Sequence, residues 1–156
     1  MSTMASIAVN RIGIGAKPGE LASAKLDVEK WIQSQFKPVS FSNDIPDSNE
    51  VLQQMDEYRQ KKKRYKGQMG EDKGMMKPTN ISKSLLKQIA GDTLLEQIKG
   101  GNSVTWRLFD FFSNHFSVTA NNQNTRALSP TLEREAIANN LFGHFEEMLL
   151  AVTMHP

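Results

Sequence analysis

The carboxyl-terminal stretch, residues 128–156, constrains the fold more than any other part of the sequence. Its apolar residues recur mainly at intervals of three and four, which is the spacing of one face of an α-helix. Ser129 carries an oxygen that can accept an amide hydrogen bond, and Pro130 suits a first helical position, where a missing N–H costs nothing. The stretch therefore predicts one long amphipathic helix over residues 130–154.

The same periodicity and the capping residues predict four further helices. We expect them at residues 20–36, 48–64, 81–98 and 103–117, with Asn80 or Ser82 capping the third of these and Gly91-Asp92 breaking it. Residues 119–128 are polar and are expected to form a loop. Because no alternating strand pattern and no internal repeat are present, the sequence predicts an all-α fold. We expect an irregular bundle of about five helices in a single domain over residues 1–156.

A run of basic residues at positions 61–64 follows the second predicted helix. It puts positive charge on every face of one turn, so no apolar stripe can continue through it. We therefore expect residues 60–78 to form a mobile basic loop. A charge run of this kind usually forms a solvated surface, and the alternative is that it binds phosphate or nucleic acid. Nucleic acid is not expected, because stacking aromatic residues are missing apart from Tyr58 and Tyr65.

The largest apolar side chains on the predicted helix faces are expected to form the centre of the core. They are Trp31, Leu108, Phe112, Phe116, Leu141, Phe145 and Leu149. Residues 103–118 carry apolar side chains on nearly every face, which is typical of a buried central helix.

Composition excludes several classes of site. The chain has no cysteine, so it has no disulfide, zinc–thiolate site, iron–sulfur cluster or cysteine nucleophile. The formal net charge of +2 is too small to indicate a nucleic-acid or membrane partner. No window is apolar enough for a membrane span, and residues 1–19 lack the pattern of a secretory signal. We expect a cytoplasmic protein without a membrane contact, and a leader removed before Met1 would leave export open.

Few titratable residues are candidates for chemistry. His115 lies in a largely apolar helix and is expected to be a hydrogen-bonded core residue. The alternative is a metal site built from His115 with Glu133, Glu135 or His144, which would require helices to meet at an angle that spacing cannot show. His144 and Glu147 can share a helix face, but such pairs are common.

The remaining candidates also favour a structural interpretation. Arg134 is expected to form an ion pair that fixes the final helix against its neighbour, and binding of a carboxylate ligand is the alternative. Asn114 is expected to make a helix-to-helix hydrogen bond. Gly13 and Gly15 are followed by Pro18 and not by a phosphate-binding continuation, so a nucleotide loop is not expected. No catalytic, cofactor-binding or metal-binding set is assigned, and no cofactor is expected.

Three blocks of sequence, taken together, resemble a known family. The blocks are residues 9–21 with 31–36, residues 111–117 (FFSNHFS), and residues 132–137 (LEREAI) continuing to 149–156. In this order they resemble the amino-terminal part of the bacterial family catalogued as domain of unknown function 1800. Its members are typically several hundred residues long, so the resemblance implies an amino-terminal fragment or a shortened relative. Members often have histidines where this chain has Ser113 and Asn140. If those histidines have a metal or proton-transfer role in relatives, this chain lacks two of the groups.

Two kinds of function remain, and the residues leave open whether the chain is an enzyme. The first is a structural or protein-interaction module without catalytic activity, which is favoured because no catalytic constellation emerges. The alternative is an amino-terminal fragment of a hydrolase-like or metal-dependent enzyme whose other site residues lie beyond residue 156. The final helix spreads its apolar surface over Met148, Leu149, Leu150 and Val152. An open apolar face of this kind predicts a protein partner, most simply a two-fold homodimer.

Overall fold

The computed structural model describes residues 3–67 and 78–156, and in this part of the chain all regular structure is helical. The α-helices are α1 (Thr3–Ile7), α2 (Glu20–Leu26), α3 (Val28–Ser34), α4 (Ser48–Gly67), α5 (Ile81–Lys99), α6 (Ser103–His115), α7 (Gln123–Leu132) and α8 (Phe145–Met154). Ala8–Ile12 and Glu133–Ile137 are π-helical turns after α1 and α7, and Ala138–Asn140 is a 3-10 turn. The predicted all-α class is confirmed. The predicted number of about five helices is too low, since two predicted helices are divided and a short helix precedes them.

The predicted helix over residues 20–36 consists of α2 and α3, which meet at Asp27. The backbone of Asp27 is extended, with φ −160° and ψ 107°. Its carboxylate accepts a hydrogen bond of 2.9 Å from the N–H of Lys30. A short carboxylate at this position satisfies an otherwise unpaired amide and starts a new helix. The periodicity of apolar residues does not reveal the boundary between α2 and α3, because the same spacing continues across Asp27.

Helix α5 begins where the sequence predicts, because the side chain of Asn80 accepts a 3.0 Å hydrogen bond from the N–H of Ser82. The predicted break at Gly91-Asp92 is wrong, since α5 is continuous through both residues. An aspartate disturbs a helix when its carboxylate competes for nearby backbone groups. The Asp92 carboxylate instead binds the backbone N–H of Ser42 and the side chain of Arg134.

The prediction of a single helix over residues 130–154 is also wrong. Helix α7 begins at Gln123, inside the predicted loop, because Asn122 caps it by accepting from the N–H groups of Asn124 and Thr125. Pro130 therefore lies inside α7 and does not start a helix. A turn over residues 141–144 then separates α7 and its π-helical continuation from α8. The chain reverses within the region that periodicity assigned to one helix.

The basic run continues α4 to Gly67, so residues 60–67 are helical and not part of a loop. Lysine, arginine and glutamine have high intrinsic helix propensity, so this exposed end needs no apolar stripe. The rest of the predicted loop up to position 77 lies outside the described residues.

The glycine-rich segment that follows α1 and its π-helical turn lies at the carboxyl-terminal end of α5 and donates hydrogen bonds there. Gly15 and Gly19 have φ of 110° and 84°, values that favour glycine. Between them, the Lys17 ammonium donates to the carbonyl of Gln97 at 2.7 Å and to that of Gly100. Burial lowers the pKa of Lys17, and the nearby Glu20 carboxylate opposes that effect. This segment therefore supplies a cation to a helix end, where positive charge is favourable.

Three apolar clusters make up the core. The first joins α1, its π-helical continuation, α2, α3 and α6, the second joins α4, α5 and α7, and the third joins α6, α8 and the turns between α7 and α8. Their largest fully buried side chains are Trp106, Phe109, Met55, Ile89, Ile137 and Met148.

The predicted core centre is right in part. Of the residues named for it, Trp31 and Leu141 are buried, Leu108, Phe112 and Phe116 are partly buried, and Phe145 and Leu149 are exposed. Helix α8 contributes Met148 to the core in place of Phe145 and Leu149, because the buried face of α8 is narrower than its apolar sequence predicts. In the part of the chain that the structure describes, no helix combines the length and apolar character of a membrane span.

Candidate functional site

The π-helical turn Glu133–Ile137 carries three consecutive charged residues that interact with different parts of the fold. These are Glu133, Arg134 and Glu135, which we call the charged hub. The turn contacts α6, α7 and α8. Helical π turns are rare and are found frequently at functional sites, which makes the hub the first region to consider for chemistry.

Arg134 binds helix α5 and the segment that precedes α4. Its Nη1 lies 2.9 Å from Oδ2 of Asp92, and the two side chains are only 11% and 10% exposed. Its Nη2 donates to the carbonyl of Ser42 at 3.3 Å, and its guanidinium lies 4.3 Å from the centre of the Phe41 ring. The ion pair predicted for Arg134 is present, with Asp92 on α5 as its partner, but Arg134 lies in the turn after α7 and not, as was predicted, in the final helix.

The pKa of Asp92 reflects these contacts. Burial alone would raise it, but hydrogen bonds from Ser42 and the positive charge of Arg134 outweigh burial and hold the pKa below its ordinary value. The carboxylate therefore stays charged although it is buried. Its charge is neutralised inside the protein and is not offered to a ligand.

Glu135 connects the first residue of α4 with the end of the chain. Its Oε1 accepts a 2.7 Å hydrogen bond from the N–H of Ser48, and its Oε2 lies 3.1 Å from Nε2 of His155. The His155 side chain is buried. The sequence does not reveal this contact, because neither separation follows a helical period and a histidine near a chain end carries no positional signal.

Glu133 lies within the electrostatic influence of Asp110 on α6. Burial raises the pKa of Glu133 to about 7, and the negative charge of Asp110 adds to this effect. Burial also raises the pKa of Asp110, against the opposing influence of a 2.8 Å hydrogen bond from Gln97 and the charge of Arg107. A carboxyl that titrates near neutral pH can donate or accept a proton in a reaction. Glu133 is therefore the residue of the hub with potential for acid–base chemistry, and together with Asp110 it forms the carboxyl pair Glu133–Asp110.

Glu133 should make the protein less stable as the pH rises. Its folded pKa of about 7 exceeds the ordinary 4.5, so the folded chain holds this proton more tightly than the unfolded chain. The resulting stability is fully present below pH 4.5 and is lost as the pH passes 7; the expected loss is about 3 kcal/mol. Urea unfolding on both sides of this window should show the loss in the wild type and much less of it in Glu133→Gln. The exposed control Glu29→Gln should follow the wild type, and an unchanged pH dependence in Glu133→Gln would contradict the assignment.

The other candidates lie at the surface and not in the hub. Asn114 is exposed and donates to the carbonyl of Asp110 on its own helix at 2.8 Å, so the predicted helix-to-helix bond is wrong. His115 is exposed, so the predicted core position is also wrong. His144 precedes α8, and its backbone N–H donates to Oε2 of Glu147 at 3.2 Å. That contact is a helix cap.

The histidines and carboxylates do not gather into a metal site in the described part of the chain. Within residues 3–67 and 78–156, no group of three or more histidine, cysteine, aspartate or glutamate side chains could hold a metal ion. The two positions where the resemblance implies histidines differ in their hydrogen bonding. Ser113 has a buried hydroxyl with no hydrogen-bond partner among the described atoms, and Asn140 donates to the carbonyl of Ala136 at 2.7 Å.

A second feature is a cluster of aromatic rings at the surface of α6 and α8, which we call the aromatic face. It consists of Phe111, Phe112, His115, Phe116 and Phe145. The Phe111 ring stacks on His115 at 6.3 Å and 12°, and the Phe145 ring lies 6.0 Å from Phe116. Phe111 is 61% exposed and Phe145 is also exposed. The sequence predicts a buried helix here because apolar residues occupy all of its faces, and that pattern does not show which face is left uncovered.

The model of the family described as "Protein of unknown function (DUF1800)" matches residues 7–156. No curated protein and no solved structure gives a significant match.

Proposed function

The chain belongs to the DUF1800 family, whose description names no activity, and we propose that it acts as a helical module that binds a protein partner through its aromatic face. The observation that carries this proposal is the exposure of Phe111 and Phe145 on a connected cluster of rings. Exposed aromatic clusters are typical of interaction surfaces, because aromatic side chains contribute much of the energy of protein–protein binding.

Helix α8 enlarges this surface. Phe145 and Leu149 are exposed one helical turn apart, and Leu150 and Met154 are exposed further around the helix. A face of this composition leaves apolar area in water, which favours a partner that covers it. Of the four residues that the sequence assigned to an open face, Leu149 and Leu150 lie on the surface, whereas Met148 is buried and Val152 is partly buried.

The charged hub supports a structural role for the carboxyl-terminal half. The side chains of Arg134 and Glu135 form hydrogen bonds and ion pairs within the protein, with Asp92, Ser42, Ser48 and His155. Groups paired in this way hold helices in place and are poorly suited to bind a substrate. They would hold the turn Glu133–Ile137 against α5, the start of α4 and the end of the chain after α8.

The carboxyl pair Glu133–Asp110 supports a second candidate function, which is acid–base catalysis. The raised pKa of Glu133 suits a general acid or base, as in the amino-terminal portion of a hydrolase-like or metal-dependent enzyme. Within residues 3–67 and 78–156 no group of three or more histidine, cysteine, aspartate or glutamate side chains could hold a metal ion, so a metal-dependent site would need ligands from elsewhere.

The interaction module can be tested by placing a photo-crosslinking amino acid at position 111 of the full chain in cells. Irradiation is expected to give a protein adduct of defined mass, because a docked partner covers this side chain. The matched control carries the same amino acid in place of Leu26, which is 89% exposed on α2, and should give no such adduct. Equal labelling at both positions, or none at position 111, would rule the module out.

A further inference from the structure

A cavity lies between the second half of α4 and the residues at the starts of α5 and α7. Its volume is about 830 Å³, which is within the range of small-molecule sites. It shares no residue with the aromatic face or the charged hub. Helix α4 contributes four residues to its wall, and the starts of α5 and α7 contribute polar groups; the residues that matter most are Tyr58, Lys62, Tyr65, Lys66, Thr79 and Gln123.

The wall of the cavity is positively charged. Lys62 and Lys66 are four residues apart on α4, so their Cα atoms are separated by about 6 Å along the helix axis. Among the described residues, no aspartate or glutamate lines the cavity, and neither lysine forms an ion pair. The amino-terminal ends of α5 and α7 add partial positive charge. This arrangement favours an anion that carries more than one charge.

Lys62 is held at the cavity by its neighbour. Its Nζ lies 5.9 Å from the centre of the Tyr58 ring, a cation–π contact. Tyr58 is buried, and Lys62 itself is partly buried. Because a fixed ring holds this side chain, Lys62 loses less conformational freedom when it binds a ligand than an unrestrained surface lysine would.

The uncharged part of the wall suits a planar ring. Tyr65 lies between the two lysines in sequence and is partly exposed, so a ligand bound to their ammonium groups can also contact its ring. Stacking on an aromatic side chain is a common way for proteins to hold a nucleobase. Thr79 and Gln123 add a hydroxyl and an amide that can form hydrogen bonds with a base or a sugar.

We propose that this cavity binds a free nucleotide, and that a nucleoside diphosphate fits it best. The phosphate oxygens contact the ammonium groups of Lys62 and Lys66, and the base lies against Tyr65. A cavity of this volume holds one nucleotide, whereas a nucleic-acid strand needs a longer groove with several stacking rings. Of the basic run at positions 61–64, Lys62 lines the cavity, whereas Lys63 is exposed outside it.

The test is titration calorimetry of the purified full chain with adenosine diphosphate, pyrophosphate and adenosine as probes. Adenosine diphosphate is expected to bind at least about tenfold more tightly than either of the other two, because it alone reaches both the lysines and Tyr65. Pyrophosphate or adenosine binding as tightly as the diphosphate would overturn the nucleotide, since the ring or the phosphate would then make no contact. Undetectable binding of adenosine diphosphate would overturn the site itself.

Matched variants locate the ligand. Lys66→Gln should weaken adenosine diphosphate about tenfold, whereas Lys63→Gln removes the same charge from α4 outside the cavity and should leave its affinity unchanged. Tyr65→Leu should weaken adenosine diphosphate but not pyrophosphate, and Tyr65→Phe, which keeps the ring, should bind as the wild type does. Circular dichroism will confirm that each variant folds. Equal losses for Lys66→Gln and Lys63→Gln would show attraction by overall charge and would overturn the site.

A single-stranded oligonucleotide separates a free nucleotide from a nucleic-acid strand. We expect a short oligoadenylate to bind no more tightly than adenosine diphosphate at the same salt concentration. Tighter binding that falls steeply as salt is raised would overturn the free nucleotide in favour of nucleic acid. The interaction module stands or falls separately, since the cavity and the aromatic face share no residue.

Discussion

Arg134→Ala is expected to lower the free energy of unfolding by about 3–5 kcal/mol, which is the usual cost of removing one partner from a buried ion pair. The substitution leaves the Asp92 carboxylate in a site where it is only 10% exposed. It also removes the hydrogen bond to the Ser42 carbonyl and the stacking on Phe41. Urea unfolding followed by circular dichroism measures this loss.

Two variants provide the controls for Arg134→Ala. Arg59 forms an ion pair with Asp56 in which the side chains are 48% and 65% exposed. Arg59→Ala should therefore cost less than about 1 kcal/mol, because water replaces most of such a contact. The double variant Arg134→Ala with Asp92→Ala should be more stable than Arg134→Ala alone, since it leaves no unpaired buried charge. Similar losses for Arg134→Ala and Arg59→Ala would show that the hub does not hold the fold.

Phe109→Ala should destabilise the protein by about 3–5 kcal/mol, as expected for a large side chain removed from a packed core. Phe109 is 2% exposed, and its ring lies 5.4 Å from that of Trp106 and 6.0 Å from that of Phe41. Phe112 lies on the same helix but is only partly buried. Phe112→Ala should cost about half as much, because less apolar area returns to water and the cavity opens to solvent. Equal losses measured by urea unfolding would contradict this assignment of the core.

The ends of α5 and α6 illustrate what could be predicted from local sequence. The predictions of 81–98 and 103–117 differ from Ile81–Lys99 and Ser103–His115 by no more than two residues at any end. These boundaries depend on groups close together in the chain, such as the side chain of Asn80 and the N–H of Ser82. Where the local signals were ambiguous, as at Asn122 and at the turn before α8, the predicted boundaries are wrong.

The faces of α6 show a different limit of prediction from sequence. Phe109 and Phe111 are equally apolar, yet the first is buried and the second is exposed. Periodicity identifies a buried side only when the other side is polar. On a helix that is apolar all round, the neighbours decide which residues are covered. The aromatic face could therefore not be distinguished from the core by sequence.

By itself, the sequence determined the all-α class, the Asn80 cap of α5 and the resemblance to the family whose model matches residues 7–156. The tertiary structure alone decided which charges meet and which rings remain exposed. Arg134 and Asp92 are 42 positions apart, and Ser48 and Glu135 are 87 positions apart. The energy of each contact depends on burial and on the geometry of distant segments. Capping and periodicity act over only a few residues, so they carry no information about such contacts.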